Sequence, residues 1–246
     1  LTTFLLPVTI IATWNEKHGA TYFPLLLMMG GALIGVFVSL DLFMFYVFWE
    51  LTLIPMFFLI LKWGGKDRRY AAQKFFIYTF TASVIMLLGL ITLYFLQDPY
   101  TLNYSGSMTG RSFSIPELID SAKAGNLGDN WYLGAQMQKI LFVMLMIGFL
   151  VKLPAVPFHT WLPDAHVQAP TGGSMLLAGV MLKMGAYGMF RLPISLFPHA
   201  LYHFQLALMI IGMVSLVWGA IVCLGQTNLK KMVAYSSVSH MGVILI

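Results

Sequence analysis

Three charged side chains lie inside long apolar stretches of the sequence. Glu50 occurs in FYVFWELTLIPMFF, Lys183 occurs in LLAGVMLKMGAYGMF, and Lys152 follows twelve uncharged residues. A charged side chain that faces lipid costs roughly 2.5–3.5 kcal/mol on insertion scales. The three residues must therefore face the interior of a helix bundle, pair with each other, or contact water.

Proton transfer is the chemistry open to two buried lysines and one carboxylate. Burial disfavours the charged form of a lysine, whereas a neighbouring carboxylate favours it. A lysine held between these two influences can take up and release a proton near neutral pH. The alternative is that the three charges only form buried ion pairs that lock helices together, although one glutamate cannot balance both lysines.

The stretch VKLPAVPFHTWLPDAH adds a helix break beside Lys152. Pro154 cannot donate an N–H to the Leu150 carbonyl, and Pro157 cannot donate one to the Leu153 carbonyl. Freed carbonyls at membrane depth are tolerated only where they are buried in protein or line a hydrated cavity. Broken helices that carry charge are typical of ion transporters.

Histidines follow Lys152 at a regular interval. Lys152, His159 and His166 are spaced seven residues apart, which on one helix predicts a common face. Histidine accepts and donates protons near pH 7, so this face could form a polar stripe toward one membrane surface. Alternatively, His159 and His166 only satisfy the freed carbonyls. Asp164 is expected to cap or pair at the membrane surface, since a metal site with these histidines lacks a fourth ligand.

Two further polar residues lie in apolar runs. His240 occurs in the hydroxyl-rich stretch VAYSSVSHMGV, which favours a hydrated route over a purely structural histidine. Asp41 begins an apolar run and is interpreted as a helix cap at the interface. The tryptophans and most methionines are interpreted as packing residues.

The composition places these residues in a membrane. Hydrophobic residues make up 59% of the 246 residues and charged residues only 9%, against about 25% charged in soluble domains. The net charge of +5 comes from short loops, so it does not indicate a nucleic-acid surface. The single cysteine excludes an internal disulfide framework. No motif for a flavin, an iron–sulfur cluster or a dinucleotide is present.

The apolar runs predict membrane-spanning helices, since each is close to the ~20 residues that a span needs. The uniformly apolar runs lack the alternation of a membrane barrel. The full runs are Tyr22–Leu40, Leu42–Leu61, Phe75–Leu96, Ile140 to about Trp161, Gly172–Leu192 and Phe204–Leu224, with partial runs at Leu1–Thr13 and Leu229–Ile246. Because the chain begins and ends on partial runs, we expect a fragment of a longer multi-pass protein.

The loop charges predict the orientation of these helices. The loop Trp63–Lys74, the Lys230/Lys231 loop and the Glu16/Lys17 loop fall on one side of the membrane. The long segment Gln97–Gln138 falls on the other side and carries more acids than bases: Asp98, Glu117, Asp120 and Asp129 against Arg111 and Lys123. The positive-inside rule therefore assigns the short basic loops to the cytoplasm, matrix or stroma.

The same stretches resemble the antiporter-like membrane subunits of respiratory complex I, the NADH-quinone oxidoreductases, of the subunit M or chain 4 type. FWELTLIPMFFLI, KFFIYT, VKLPAVPFHTWLPDAHVQAPT, LLAGVMLKMGAYGMFRL and LKKMVAYSSVSHMG carry the resemblance, which covers essentially the whole chain in order. It implies an all-α transmembrane bundle with two inverted five-helix repeats. Residues 22–192 would form the first repeat, 1–21 the end of a preceding helix and loop, and 193–246 the start of the second.

The resemblance also implies site residues and a mechanism. The positions that match the family's proton-transfer and relay residues are Glu50, Lys152, Lys183, His159, His166 and His240. A switched ion pair is the expected mechanism: Glu50 near Lys152 keeps the lysine protonated, and withdrawal of Glu50 sends the proton toward Lys183. The broken helix of the second repeat is not in this sequence.

Partners and cofactors follow from the resemblance as well. The chain is expected to pump protons beside homologous antiporter-like subunits in a multi-pass bilayer complex, without nucleic acid and without a redox centre of its own. NADH, FMN, iron–sulfur clusters and quinone would belong to partner subunits. A bacterial inner membrane or a cyanobacterial inner or thylakoid membrane is expected, with an organelle membrane as the alternative. The competing hypotheses are a subunit of a multisubunit cation/proton antiporter or membrane-bound hydrogenase, and a purely structural scaffold.

Overall fold

The architecture is helical throughout the part of the chain that the computed structural model describes, residues 1–15, 20–97, 111–123 and 134–246. The all-α prediction is therefore confirmed. In chain order the α-helices are α1 Thr2–Ala12, α2 Tyr22–Val38, α3 Leu42–Leu51, α4 Leu53–Trp63, α5 Arg68–Leu96, α6 Ile115–Lys123, α7 Gly134–Lys152, α8 Trp161–Gln168, α9 Thr171–Leu176, α10 Leu182–Met189, α11 Pro198–Leu224 and α12 Leu229–Leu245. Two π-helical segments, Leu177–Met181 and Phe190–Ile194, flank α10.

Among the described residues, four helical stretches are long and apolar enough to cross a membrane. They are Leu42–Trp63, Arg68–Leu96, Thr171–Ile194 and Pro198–Leu224. Helix α5 begins at Arg68 instead of Phe75, because its first turn takes in basic residues of the preceding loop. Helix α11 begins at Pro198 instead of Phe204, since proline is well suited to the first turn of a helix.

An interruption beside Glu50 was not predicted. Helix α3 ends at Leu51 and α4 begins at Leu53, because Pro55 has no N–H to donate to the Leu51 carbonyl. The Thr52 hydroxyl donates to the Trp49 carbonyl at 2.8 Å. The helix that carries the buried carboxylate is therefore irregular one residue after it.

The prolines beside Lys152 break the helix completely. Helix α7 ends at Lys152, the following eight residues form turns, and α8 begins at Trp161. The predicted break is confirmed, but the predicted common helical face is wrong. His159 lies in the turns and His166 lies on α8, so Lys152 shares a helix with neither of them.

The predicted common side of two basic loops is confirmed. The Gly65 amide donates to the Gln168 carbonyl at 3.0 Å, and the Lys230 ammonium donates to the neighbouring Ala169 carbonyl at 3.0 Å. Both loops therefore meet the end of α8. At the start of α3, away from the basic loop that follows α4, the Leu42 amide donates to the Phe113 carbonyl at 2.8 Å.

Some predicted features fall outside the described residues. The Glu16/Lys17 loop, Asp98 and Asp129 belong to this group. The division at residues 21 and 192 into a preceding helix and two repeats stays a prediction.

Candidate functional site

Lys152 lies in the last turn of α7, at the edge of the break. Its side chain is only 1% exposed. Within the described ranges its ammonium nitrogen, Nζ, has no hydrogen-bond partner. Instead Nζ lies 5.5 Å from the ring centroid of Trp49 and 5.9 Å from that of Phe75. The aromatic faces attract the cation without fixing its protons in hydrogen bonds.

Glu50 is the carboxylate that interacts with this lysine. It is half-buried on α3 and interacts electrostatically with Lys152. Its buried Oε1 has no hydrogen-bond partner in the described chain, while the hydroxyls of Tyr46 and Ser83 are its polar neighbours. The predicted pairing of Glu50 with Lys152 is thus a charge interaction without a hydrogen bond from Lys152.

Aromatic packing fixes the distance between the helices that carry the pair. The Trp49 and Phe149 rings lie edge to face with centroids 5.4 Å apart, and Phe45 packs on the same Phe149 ring at 6.4 Å. All three side chains are fully buried. Helix α3 therefore holds Glu50 against α7 through a rigid hydrophobic contact one residue before the carboxylate.

A cavity of about 640 Å³ borders Glu50. Apart from the Tyr46 hydroxyl and Glu50 itself, its lining is aliphatic and aromatic, with Leu90, Ile91 and Phe113 among the lining residues. Glu50 therefore borders open space, and a switched ion pair needs such space beside its carboxyl.

Lys183 lies on α10 between the two π-helical segments. It is half-buried and its ammonium donates to the Ala178 carbonyl in the first of these segments. It borders a second cavity, of about 460 Å³, together with Phe37 and Tyr187. Single π-turns occur frequently at functional sites. Here one π-helical segment lies on each side of the helix that carries this half-buried lysine.

Glycines bring the Lys183 helix onto the break. A Cβ at Gly185 would lie 2.9 Å from the Leu153 amide nitrogen and 3.2 Å from the Lys152 carbonyl carbon. A Cβ at Gly188 would lie 2.2 Å from the Phe149 ring. Because both positions lack a side chain, α10 contacts the backbone of α7 at Lys152 directly.

The three predicted relay histidines have different surroundings. His159 and His166 are buried, and neither Nδ1 has a partner among the described residues. The His159 ring lies 6.2 Å from that of Tyr235. His240 is exposed on α12, so the structure does not bring it to the buried histidines.

The surface charges behave as expected. The Asp164 carboxylate pairs with the Lys74 ammonium at 2.7 Å. The Asp41 carboxylate accepts hydrogen bonds from the amides of Phe43 and Met44 at 2.8 and 3.0 Å and so caps α3. Both interpretations are confirmed.

Several site residues were missed in the sequence. Tyr46 precedes Glu50 by one helical turn, which is the spacing at which side chains share a face, so this neighbour could have been found. Trp49 was assigned to packing alone, and Phe75 was named only as the first residue of an apolar run. Nothing in the sequence connects Ser83 with Glu50, because the contact depends on how α5 packs against α3.

Comparison with known proteins assigns the family. Residues 39–246 match the family described as NADH:quinone oxidoreductase/Mrp antiporter, TM. The chain belongs to this family. The family match confirms the resemblance to complex I membrane subunits that the sequence indicated.

Individual relatives agree with this family. The chain is 43% identical to F(420)H(2) dehydrogenase subunit M of Methanosarcina mazei, over 100% of the chain and 47% of the relative. It is 44% identical to NADH-quinone oxidoreductase subunit M of Rhodobacter capsulatus, over 99% of the chain and 46% of the relative. A chain in the structure of respiratory complex I from Thermus thermophilus superposes with a TM-score of 0.81 at 29% identity, covering 99% of this chain and 47% of that one. The chain thus spans about half the length of these relatives.

Proposed function

We propose that this chain is part of a proton-translocating membrane subunit of an NADH-quinone oxidoreductase. The observation that carries the proposal is the buried Glu50 and Lys152 pair beside a broken helix. The two groups interact through charge, yet Lys152 makes no hydrogen bond within the described chain. Such a lysine is free to exchange its proton, and intramembrane ionisable residues typically mark ion pathways.

The proposed mechanism is a switched ion pair. Glu50 near Lys152 favours the protonated lysine. Rotation of the carboxyl into its adjoining cavity removes this support, and the proton passes toward Lys183 on the helix that touches the break. Moving one charge across 100 mV requires about 2.3 kcal/mol. Electron transfer elsewhere in the complex would supply the conformational energy for the switch.

His159, His166 and His240 are proposed relay residues. His159 and His166 are buried with a ring nitrogen that has no described partner. His159 lies within the break, and His166 lies on α8, whose end meets the basic loops. His240 belongs to the start of the proposed second repeat. NADH, FMN, iron–sulfur clusters and quinone would be held by other subunits, beside homologous antiporter-like subunits in a bacterial or cyanobacterial membrane.

The electron donor of the complex is proposed from the names of the relatives. Relatives of almost equal identity are named for F(420)H(2) dehydrogenase and for NADH-quinone oxidoreductase. NADH is proposed because the relatives from Rhodobacter capsulatus and Rickettsia conorii are both named NADH-quinone oxidoreductase subunit M.

Proton pumping by the assembled complex tests the proposal. Inverted membrane vesicles that contain the full-length subunit are energised with NADH, and acidification of the lumen is followed with a pH-sensitive dye. Lys152→Ala and Glu50→Ala should each abolish most of the acidification while the complex still assembles. Normal acidification in both variants would contradict the proposal.

A cation/proton antiporter subunit is the second candidate, because the matching family includes Mrp antiporters. The two functions differ in their dependence on sodium. Acidification that persists in sodium-free buffer supports proton translocation driven by electron transfer. Transport that requires sodium supports the antiporter.

A further inference from the structure

The helix break leaves backbone groups that need new hydrogen-bond partners. The Ala155 amide donates to the Leu150 carbonyl at 3.1 Å, and the Trp161 indole donates to the Val151 carbonyl at 2.8 Å. These bonds satisfy two carbonyls at the end of α7 from within the broken segment itself. The amide of Val156, between the two prolines, would bond the Lys152 carbonyl in a continuous helix.

The Val156 amide is satisfied from a distant helix. It donates to the Ser215 hydroxyl on α11 at 2.8 Å, across 59 residues of sequence. Ser215 is fully buried, and its own hydroxyl donates to the Ile211 carbonyl at 2.7 Å. The donated proton fixes the hydroxyl rotor, so a lone pair faces Val156. The serine is thus a pre-oriented acceptor for the break.

Helix α11 can hold this acceptor firmly because it packs closely on α12. A Cβ at Gly219 would lie 2.7 Å from the Ser239 amide nitrogen, and one at Gly242 would lie 2.7 Å from the Gly212 carbonyl oxygen. The Ser239 hydroxyl also donates to the Leu216 carbonyl at 2.9 Å. Ser215 lies between the two α11 glycines at helical spacing, so it projects from a rigid helical hairpin.

The same hairpin touches the far end of the broken segment. Tyr235 on α12 faces the His159 ring, and Lys230 at the start of α12 donates to the Ala169 carbonyl. The hairpin therefore contacts the backbone after Lys152, the first buried histidine, and the end of α8. Of these contacts, only that of Ser215 lies between Lys152 and His159.

We propose that Ser215 is a positioning residue for proton transfer at the break. By accepting the Val156 amide, Ser215 fixes the path of the chain between Lys152 and His159. It thereby sets how the His159 imidazole is oriented toward the Lys152 ammonium. The inference rests on the proposed function. It extends that function because α11, which belongs to the proposed second repeat, would directly shape the proton-transfer site of the first repeat.

Substitutions at Ser215 test the inference in the full-length subunit within the assembled complex. Ser215→Ala removes the acceptor, whereas Ser215→Thr retains a hydroxyl at the same position. Ser39→Ala is the matched control, because the buried Ser39 hydroxyl likewise donates to the carbonyl four residues earlier, without accepting an amide from the break. The ratio of protons pumped to electrons transferred is measured in vesicles that contain equal amounts of complex.

A net hydrogen bond is worth a factor of about two to ten in an equilibrium, so Ser215→Ala should lower the proton-to-electron ratio by about two- to tenfold. Ser215→Thr should restore the ratio, and Ser39→Ala should leave it unchanged. A normal ratio in Ser215→Ala, with Lys152→Ala defective in the same preparation, would overturn the positioning role alone. Normal ratios in both variants would overturn the proposed function as well. A loss that Ser215→Thr does not restore would also contradict the inference.

Discussion

Glu50 and Lys152 interact electrostatically in the bundle interior, yet the Glu50 Oε1 and the Lys152 Nζ each lack a hydrogen-bond partner in the described ranges. A pair that only locked helices would gain most from direct, fully hydrogen-bonded contact, because desolvation opposes every buried charge. The aromatic rings of Trp49 and Phe75 take the place of such contacts around the ammonium. This arrangement holds the charges near each other, and no described group holds the lysine ammonium in a hydrogen bond.

Removing the charge of Glu50 without changing its shape should uncouple pumping from electron transfer. In Glu50→Gln the amide keeps the volume of the side chain but no longer favours a protonated Lys152. We expect the complex to assemble and oxidise NADH while vesicle acidification falls at least about tenfold, equivalent to about 1.4 kcal/mol. Glu117→Gln, at an exposed position of α6, is the control and should acidify normally. Equal acidification by the two variants would count against a switched pair.

Replacing Lys183 with arginine should keep the positive charge at this position but prevent proton transfer through it. Arginine keeps its charge under all conditions in proteins, so Lys183→Arg can still donate to the Ala178 carbonyl but cannot release a proton. We expect pumping to be lost while assembly, followed by native gel electrophoresis, is retained. Lys62→Arg, at an exposed position, is the control. Normal pumping by Lys183→Arg would show that only the positive charge matters there.

The contact of α10 with the break depends on the absence of a side chain at Gly185. In Gly185→Ala the new Cβ meets backbone atoms of Leu153 and Lys152, which cannot rotate away. We expect a loss of stability of roughly 1–3 kcal/mol, the usual cost of overpacking, seen as earlier thermal inactivation of the complex. Gly31→Ala is the control, since a Cβ there meets no atom within 4 Å. Similar inactivation of both variants would argue against this close approach.

The Lys74–Asp164 pair should matter little for stability. The two side chains are 24% and 36% exposed, and ion pairs with that access to solvent contribute about 0–1 kcal/mol. Asp164→Asn should therefore shift thermal inactivation only slightly and leave pumping intact. The double variant with Lys74→Met measures the coupling between them. A coupling well above ~1 kcal/mol would show that the pair braces α5 against α8.

Much of this site could be predicted from the sequence because charge in an apolar run has few explanations. Glu50, Lys152 and Lys183 were identified by the cost of burying them, and the break was identified by prolines that cannot donate. Those arguments are local, so they need no knowledge of the fold. The seven-residue spacing failed because the same prolines end α7 at Lys152 and remove the continuous helix on which the common face depended.

The remaining features depend on how distant helices pack. Ser215 supports the break from 59 residues away, and no local pattern connects a lone serine in α11 with an amide in the turns. The interruption after Leu51 had a local signal in Pro55, but the run was apolar enough to predict one straight helix. His240 was predicted to lie on a hydrated route from its hydroxyl-rich neighbours and the family resemblance, and the structure shows its side chain exposed.

The proton-to-electron ratio of the neutral pair variant, Glu50→Gln with Lys152→Met, is the most direct measurement of whether this pair conducts protons. The complex that contains the full-length subunit is reconstituted in vesicles, and NADH oxidation and acidification are recorded together. A conducting pair predicts normal assembly and a clearly lowered ratio, because no protonatable group remains at either position. A ratio equal to that of the unmodified complex would show that the two charges only join helices, and would contradict the proposed route through Lys152.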